Sequence, residues 1–566
     1  AAYGPAGGPH GGGFIGTGTD RTQSAAIIYD HLFSPTLIAE ARIGVSRYRN
    51  DAQSMDYGTN ASDAIGIRGV NVSAFTSGMT GIVIGGYGSP LVGYSASLPW
   101  VRSETNFNWA NVWTNTRSNH TLKWGADIRR IRDDLLQNQT FSPRGRFNFN
   151  PGTTGLNCTS PCDNVTGFAN NFASFLLDVP SQVGRDLPLF FPAYRATQFF
   201  VFAQDKWQVS KKLTLDFGLR WEFYPPGKPR FPGGFSNYDP TTNSLVLAGI
   251  GSNPMNLGMK TNYKDFAPRL GVAYRFNDKT VVRAGLGISY EPFPDNTYAY
   301  NFPVRQNNAF NQLNGFTPAL LPNGQPASMA AGFPAPTPAV IPSNGVISPA
   351  VLSQNYDVVN LNFREGYVES WNFAVQRALP RNFTFEAAYV GNHGVAIPTR
   401  YNLNSGRVLG AGANGQPLFQ QFRRTAATTV NFVGTSSHYH SLQVKFDRRF
   451  SGGFLLTTAY TWSKATGITD EDGEFAYYIN PRRSYSRLSH SRPSTFVQSY
   501  IYELPFGRGK SYLTSGPTSW VLGGWQLSGI LTLMSGAPLN FGYSNAALGA
   551  PGNAQSPNIT GPVKIL

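Results

Sequence analysis

The feature that most constrains this chain is a repeated alternation of apolar and polar residues over segments of about ten to fourteen residues. Side chains of a β-strand point alternately to its two faces, so this alternation predicts strands with two different faces. In the clearest segment, residues 213–222, large apolar side chains occupy one face and small, polar or charged ones the other: Leu213, Leu215, Phe217, Leu219 and Trp221 against Thr214, Asp216, Gly218, Arg220 and Glu222. Such a strand suits a sheet with lipid on one side and water on the other.

The strand segments come in pairs, each joined by a tight turn and followed by a long connection rich in Gly, Pro and Asn. The pairs lie at roughly 23–50, 104–134, 197–224, 264–291, 367–393, 437–465 and 493–536. Turns near 34, 118, 210, 278, 380 and 451 are short, whereas segments 51–103, 137–195, 225–262, 292–365, 394–436 and 466–492 are long. We therefore predict an all-β fold, an antiparallel transmembrane β-barrel with short periplasmic turns and long extracellular loops.

The count is about 14 strands in a single barrel domain covering residues 1–566. The alternative is a soluble β-sandwich or propeller, which would not sort its connections so consistently by length.

Composition excludes several other classes. Charged residues are only 14% of the chain, against about 25% in an average soluble protein, and no run approaches the ~20 apolar residues of a membrane helix. The net charge of +15 is spread along strands and turns without a nucleic-acid-binding motif. We therefore expect no nucleic-acid partner, and expect the basic residues to face anionic lipid or a solute-conducting interior.

Two cysteines and two small polar clusters are candidate special sites. Cys158 and Cys162 lie in one long loop and predict a disulfide of an oxidising compartment. Asp470, Asp472 and Glu474 form an acidic run that is either a solvated loop or a weak metal candidate.

His438 and His440 share a strand face with apolar residues, which favours a position at the membrane interface over a metal pair. Neither a catalytic motif nor a cofactor-binding motif is complete, so we predict neither enzyme activity nor a cofactor.

Several segments resemble the barrels of TonB-dependent outer-membrane receptors. These are 202–207, 213–220 and 266–274, and the segments 367–372, 389–394, 459–464, 502–509 and 523–529 are similar to the Oar-like branch of that family. The resemblance implies a barrel of about 22 strands, of which this chain supplies part. It also implies a signal peptide, a regulatory-like domain, a plug and a TonB box, none visible here, so we expect the chain to be an internal fragment.

Strand parity then identifies candidate site residues that should point into the barrel. They are Arg129, Arg220, Glu222, Arg269, Arg283, Glu386, Lys445 and Asp447. We expect most to form cross-strand ion pairs or plug contacts, and those near the outer mouth to contact solute. Tyr298, Tyr300 and Phe302 are candidate loop contacts, with loop packing as the alternative.

The expected function is TonB-dependent uptake of a bulky solute such as an oligosaccharide, siderophore or peptide. The expected partners are outer-membrane lipid and lipopolysaccharide, the TonB complex through the missing plug, and the unidentified solute. The alternatives are a passive porin-like or hydrophobic-solute channel, and a surface adhesion or structural protein.

Overall fold

The segments of alternating polarity form long β-strands, and the long connections between the hairpins contain additional short strands. The computed structural model describes residues 13–136, 141–155, 164–186, 193–293, 301–303, 310–312, 316–321, 323–335, 340–350, 352, 354–431, 434–469, 473–539, 548–554 and 561. In chain order the strands are β1 Gly16–Ser34, β2 Leu37–Ser54, β3 Gly81–Ile84, β4 Gly88–Val92, β5 Trp100–Arg117, β6 His120–Leu136, β7 Arg146–Phe149, β8 Gln182–Gly184, β9 Ala193–Trp207, β10 Leu213–Phe223, β11 Lys228–Pro229, β12 Ser236–Asp239, β13 Ser244–Leu247, β14 Phe266–Asn277, β15 Thr280–Glu291, β16 Phe310–Asn311, β17 Val346–Ile347, β18 Tyr356–Val359, β19 Gly366–Leu379, β20 Phe383–Ile397, β21 Arg400–Asn402, β22 Thr428–Asn431, β23 Thr435–Ser451, β24 Phe454–Gly467, β25 Ser486–Arg487, β26 Ser494–Glu503 and β27 Gln526–Met534. The α-helices are α1 Ala61–Ala64, α2 Asn164–Leu176, α3 Pro417–Phe422 and α4 Pro517–Leu522.

One antiparallel sheet, here called the wall, consists of a path of fourteen strands and two short additional strands, β11 beside β9 and β25 beside β24. The order of the fourteen is β1-β2-β5-β6-β9-β10-β14-β15-β19-β20-β23-β24-β26-β27, so the strands of this path follow one another across the sheet in the order in which they occur in the chain. This confirms the predicted number of strands, their pairing into hairpins and the short turns. β1 begins at Gly16, earlier than predicted, because its first residues are polar and carry no apolar alternation.

The wall exposes its apolar face. On β10, Phe217 is 44% and Leu219 49% exposed, whereas Glu222 on the opposite face is buried. A soluble sheet would show the reverse arrangement. The exposed apolar face is therefore the lipid-facing face, and the opposite one is called the polar face.

The two ends of the wall are open edges. β1 pairs with β2 and β27 with β26, and within the described residues neither edge strand pairs with a further strand. On β1 the neighbouring residues Ile27 and Ile28 are both exposed, although they lie on opposite faces.

The long connections fold together into a second region, here called the cap. Its described residues form three small sheets, with orders β16-β8-β7-β3-β4, β12-β13-β17 and β18-β22-β21. Each small sheet combines strands from different loops; β3 and β7, for example, pair in parallel across residues 81–84 and 146–149.

The cap contains clusters of buried apolar side chains like those in the core of a soluble protein. Phe147 and Phe149 are completely buried in one cluster and Leu247 in another. A third cluster joins Tyr194, at the extracellular end of β9, to Phe235 and Phe363 of the cap. The cap is thus packed as a soluble protein is, and it rests on the extracellular end of the wall.

Candidate functional site

The polar face of the wall forms a cavity of about 430 Å³ across β6, β9, β10, β14 and β15. Four of the eight residues expected to point inward line it: Arg129, Arg220, Glu222 and Arg269. Strand parity placed all eight residues on one face because they occupy the polar positions of regular strands, but it did not distinguish these four from the others.

Register brings these side chains together. Glu222 lies opposite Phe200 and Arg220 opposite Phe202 on β9, and Arg220 is also opposite Ala267 on β14. Arg269 lies between Gly218 of β10 and Gly287 of β15, neither of which has a side chain to fill the space beside it.

Charge in the cavity is organised around Arg220. Its Nε lies 3.0 Å from Glu222 Oε1 and its Nη2 lies 3.8 Å from Asp127 Oδ2, which also accepts from Arg129 Nη2 at 2.9 Å. The guanidinium carbons of Arg129 and Arg220 lie 4.9 and 4.6 Å from the centre of the buried Phe200 ring. Cation–π contacts of this kind hold guanidinium groups in fixed orientations.

Arg269 gives the cavity an excess of positive charge. Three arginines face two carboxylates there, and among the described residues Arg269 has no hydrogen-bonded or ion-paired side-chain partner. Because the Arg269 side chain is exposed, its guanidinium can accept an anionic or carbonyl group as a hydrogen-bond partner.

A cluster of acids lies above the cavity, at the extracellular ends of the strands. The Asn262 amide donates to Asp265 Oδ1 and, at 3.2 Å, to Glu365 Oε2. Burial, followed by the neighbouring carboxylates of Glu365 and Glu222, raises the pKa of Asp265 to about 7, and burial also raises the pKa of Glu365.

Tyr224 connects the acids to the cavity. Its hydroxyl donates to Glu222 Oε2 at 2.8 Å, and burial together with this carboxylate raises the Tyr224 pKa above its ordinary value. The backbone N–H of Glu222 donates to the Asp265 carbonyl at 2.8 Å, so the acid cluster and the cavity share one hydrogen-bonded frame.

The other four predicted residues lie on the same polar face but outside the cavity. Arg283 Nη1 donates to Gln376 Oε1 at 2.9 Å, Glu386 lies opposite Lys445, and Lys445 Nζ is 2.9 Å from Asp447 Oδ2. The Arg283–Gln376 hydrogen bond joins neighbouring strands, as expected, whereas the Lys445–Asp447 ion pair lies within β23.

Of the three aromatic residues predicted as loop contacts, the structure describes only Phe302. Phe302 is 3% exposed and packs in the cap cluster with Tyr238 and Leu418, so it contacts cap residues as the loop-packing alternative expects. Tyr298 and Tyr300 lie outside the described residues, as do Cys158 and Cys162.

Of the three acidic residues considered as a weak metal site, only one is among the described residues. Asp470 and Asp472 lie outside the described residues, whereas Glu474 accepts from the Tyr478 hydroxyl at 3.2 Å. In the part of the chain that the structure describes, no three His, Cys, Asp or Glu side chains are grouped to bind a metal ion.

His438 and His440 lie on the lipid-facing face near its extracellular rim. The His438 ring stacks on His393 at 4.4 Å between centroids, and His440 Nδ1 is 2.7 Å from the Tyr389 hydroxyl. Contact with aromatic and polar neighbours on this face fits the interfacial position expected from the sequence.

Sequence reasoning missed Phe200, Asp265 and Glu365. Phe200 follows Phe199, so two adjacent aromatic residues conceal which one faces inward. Asp265 and Glu365 are 100 residues apart in numbering and lie just outside the strands, where no periodicity operates.

No helix among the described residues combines the length and the apolar character needed to cross a membrane.

Comparison with known proteins identifies a family. A family profile described as "outer membrane beta barrel domain" matches residues 1–565. No curated protein sequence matches the chain.

Among solved structures, the chain is similar at 10% identity to the FrpB iron transporter of Neisseria meningitidis (TM-score 0.40), covering 85% of this chain and 49% of that one. It is similar at 10% identity to the pyoverdine receptor FpvA of Pseudomonas aeruginosa (TM-score 0.43), covering 86% of this chain and 48% of that one. A third similar structure is the ferric-catecholate receptor Fiu of E. coli K12, at 10% identity and TM-score 0.41, covering 86% and 52%. The chain spans about half the length of these structures.

Proposed function

The chain belongs to the outer membrane β-barrel domain family, and on that premise we propose that it forms part of the wall of an energised outer-membrane transporter. The transporter would take up a bulky solute, and its gating would depend on TonB acting through a plug supplied by the rest of the protein. The sequence segments that resemble TonB-dependent receptors support this assignment.

The observation that carries the proposal is the pair of open edges. Backbone groups at the edge of a sheet cannot be left unpaired in lipid, so a wall in a membrane needs closure. β1 and β27 are not paired with each other in the described residues. This favours a larger barrel completed by further strands over a small barrel that closes on itself.

Apolar side chains on the polar face of both edge strands also support a larger assembly. Ile28 of β1 and Ile530 of β27 lie on that face and are 52% and 80% exposed. In a complete barrel, a plug or neighbouring strands would cover them.

The cap and the cavity support a solute-handling role. The cap places folded extracellular loops above the wall, and the cavity beneath has an excess cation at Arg269. We propose that this region contacts anionic or oxygen-rich groups of the solute. An oligosaccharide, a siderophore and a peptide all carry such groups, so all three classes remain candidates.

The two alternative functions require different arrangements of the wall. A channel of fourteen strands requires β1 and β27 to pair, and a surface adhesion protein requires no passage at all. Outer-membrane lipid, lipopolysaccharide and the TonB complex are the partners expected under the transporter proposal.

Uptake measurements separate the three functions. Cells with the intact gene and cells with the gene deleted would be given a labelled ferric siderophore, oligosaccharide or oligopeptide, with and without a protonophore. The proposal expects gene-dependent uptake of one probe, abolished by the protonophore. Uptake that survives the protonophore would indicate a passive channel, and surface binding without uptake would indicate adhesion.

A variant pair connects uptake to the cavity. Arg269→Gln should raise the solute concentration needed for half-maximal uptake, because it removes the excess cation. Lys464→Gln, on the lipid-facing face of β24, is the matched control and should leave uptake unchanged.

A further inference from the structure

The lipid-facing face changes abruptly from apolar to basic near the extracellular ends of β2, β5, β6 and β9. Strand pairing arranges its side chains in rows that run across neighbouring strands. One apolar row consists of Ile43, Trp109, Ile128 and Phe199. The row two steps nearer the extracellular end consists of Arg47, Thr105, Arg132, Arg195 and Lys228.

The basic residues surround an open cleft of about 670 Å³, here called the basic cleft. Its cations are Arg130, Arg132, Arg195, Lys228 and Arg230. Phe107 and Trp109 form its membrane-side floor, and Met255 of the cap contributes to its lining. Five cations and two aromatic side chains thus meet where the apolar face ends.

Little of this positive charge is neutralised within the protein. Arg195 Nη1 lies 2.7 Å from Asp134 Oδ1, and Arg130 Nη1 donates to Thr197 Oγ1 at 2.8 Å. Among the described residues, no carboxylate is ion-paired with Arg130, Arg132, Lys228 or Arg230. Arg132, Lys228 and Arg230 are exposed, so their charged groups are open to a ligand.

The location of the basic cleft indicates what kind of ligand it binds. The cleft lies at the boundary between the apolar face and water, on the extracellular side, where lipid headgroups of the outer leaflet are located. Guanidinium groups match phosphate oxygens in both geometry and charge, and aromatic side chains at this depth accommodate the start of acyl chains.

We propose that the basic cleft binds the phosphate groups of a phosphorylated lipid of the outer leaflet, with its acyl chains lying along Phe107 and Trp109. The site requires only that the wall lies in the outer membrane, so it is independent of the transport function. It would fix one side of the wall to its surrounding lipid.

Among the described residues of β19, β20 and β23, the extracellular part of the lipid-facing face has no comparable cluster of cations. Near the extracellular ends of β19, β20 and β23 the lipid-facing row contains Glu369, His393 and His438. Lys464 lies one row lower, opposite His440, as an isolated exposed cation on the same face. It therefore provides a control for loss of positive charge outside the cleft.

Lipid binding to the purified full-length protein in detergent, with the whole barrel present, tests the proposal. The probes are lipid A carrying phosphates and the same lipid after enzymatic dephosphorylation, measured by native mass spectrometry. We expect the phosphorylated form to bind more tightly, and the double variant Arg132→Gln/Lys228→Gln to bind it roughly thirtyfold more weakly, since two cations near an anionic headgroup are lost. Lys464→Gln should bind as the unmodified chain does.

Three results would overturn the proposal. The first is equally tight binding of the phosphorylated and the dephosphorylated lipid. The second is that Lys464→Gln weakens binding as much as the double variant does. The third is displacement of the lipid by an equal concentration of inorganic phosphate, which would indicate a site for free anions. Heat-dependent electrophoretic migration checks that each variant is folded. If the double variant does not fold, the comparison of the two lipids on the unmodified chain still decides.

Discussion

The wall and the cap bury opposite kinds of side chain. In the wall Leu219 and Phe217 are exposed while Glu222 is buried, whereas in the cap Phe147 and Phe149 are completely buried. In both regions the apolar side chains avoid water. In the cap they do so by packing against each other, whereas in the wall they do so by facing lipid. The comparison teaches that burial must be judged against the surrounding solvent.

Replacing a buried aromatic residue of the cap should have the largest effect. Phe147→Ala removes a completely buried ring that packs against Phe333 at 4.9 Å between centroids, and should destabilise the cap by about 3–5 kcal/mol. Hydrogen exchange should show faster exchange in β3 and β7 but not in β10. Phe217→Ala is the control, and an equally large effect from it would contradict the difference between the regions.

A charge on the lipid-facing face should have the next largest effect. Leu219→Arg places a cation in the middle of β10, where lipid should make it cost about 2–4 kcal/mol in unfolding free energy. The measurement is urea unfolding in lipid vesicles. Gln204→Arg, on the polar face beside Asp216, should cost much less; equal costs would mean that the faces are assigned incorrectly.

Breaking the ion-pair network of the cavity should have a smaller effect on stability. Arg220→Gln leaves Glu222 and Asp127 with one fewer cation, and should cost about 1–3 kcal/mol in unfolding free energy. The same unfolding experiment measures it. Arg42→Gln removes a pair with Glu40 that is exposed to water, and should cost less than about 1 kcal/mol.

The acid cluster should make the junction between wall and cap sensitive to pH. The pKa of Asp265, about 7 in the folded protein, exceeds its ordinary value of 3.8, so folding favours the protonated form. This stabilising contribution is complete below pH 3.8 and is lost as the pH rises through 7. Hydrogen exchange near residues 262–265 should therefore accelerate from pH 5 to pH 8 by more than the intrinsic chemistry predicts.

The variant Asp265→Asn isolates this titration. It should remove most of the additional pH dependence and slow exchange at pH 8, because no charge then develops beside Glu365. Asp239→Asn, at an exposed cap turn whose threonines donate to the carboxylate, is the control and should not flatten the profile. An unchanged profile in Asp265→Asn would assign the pH dependence to other groups.

Sequence reasoning succeeded for the wall because lipid and water impose a period of two over long strands. That period located β10 and placed Arg220 and Glu222 on the polar face. It could not locate the cap, whose strands are two to five residues long and pair across distant loops, as β3 and β7 do. Only the folded chain brings such segments together.

The candidate site divides in the same way. Arg129 and Arg269 follow from strand parity, whereas the contact of Arg129 with Phe200 depends on the exact register of β6 and β9. The basic cleft was also not predicted, because Lys228 comes from the loop after β10 and joins the row only through β11, while Arg230 follows β11 in the same loop. Parity predicts a face, but register and loop folding determine which residues on it meet.

The most direct test is a nitroxide accessibility scan along β10 and β3 in lipid vesicles, on a background of Cys158→Ser and Cys162→Ser. Accessibility to oxygen reports lipid, and accessibility to a water-soluble nickel complex reports water. We predict that oxygen accessibility peaks at Leu215, Phe217 and Leu219 and falls at Thr214, Asp216 and Gly218, while labels on β3 show neither lipid exposure nor a period of two of this kind. Uniform accessibility along β10, or lipid exposure of β3, would contradict the division into a lipid-facing wall and a cap packed like a soluble protein.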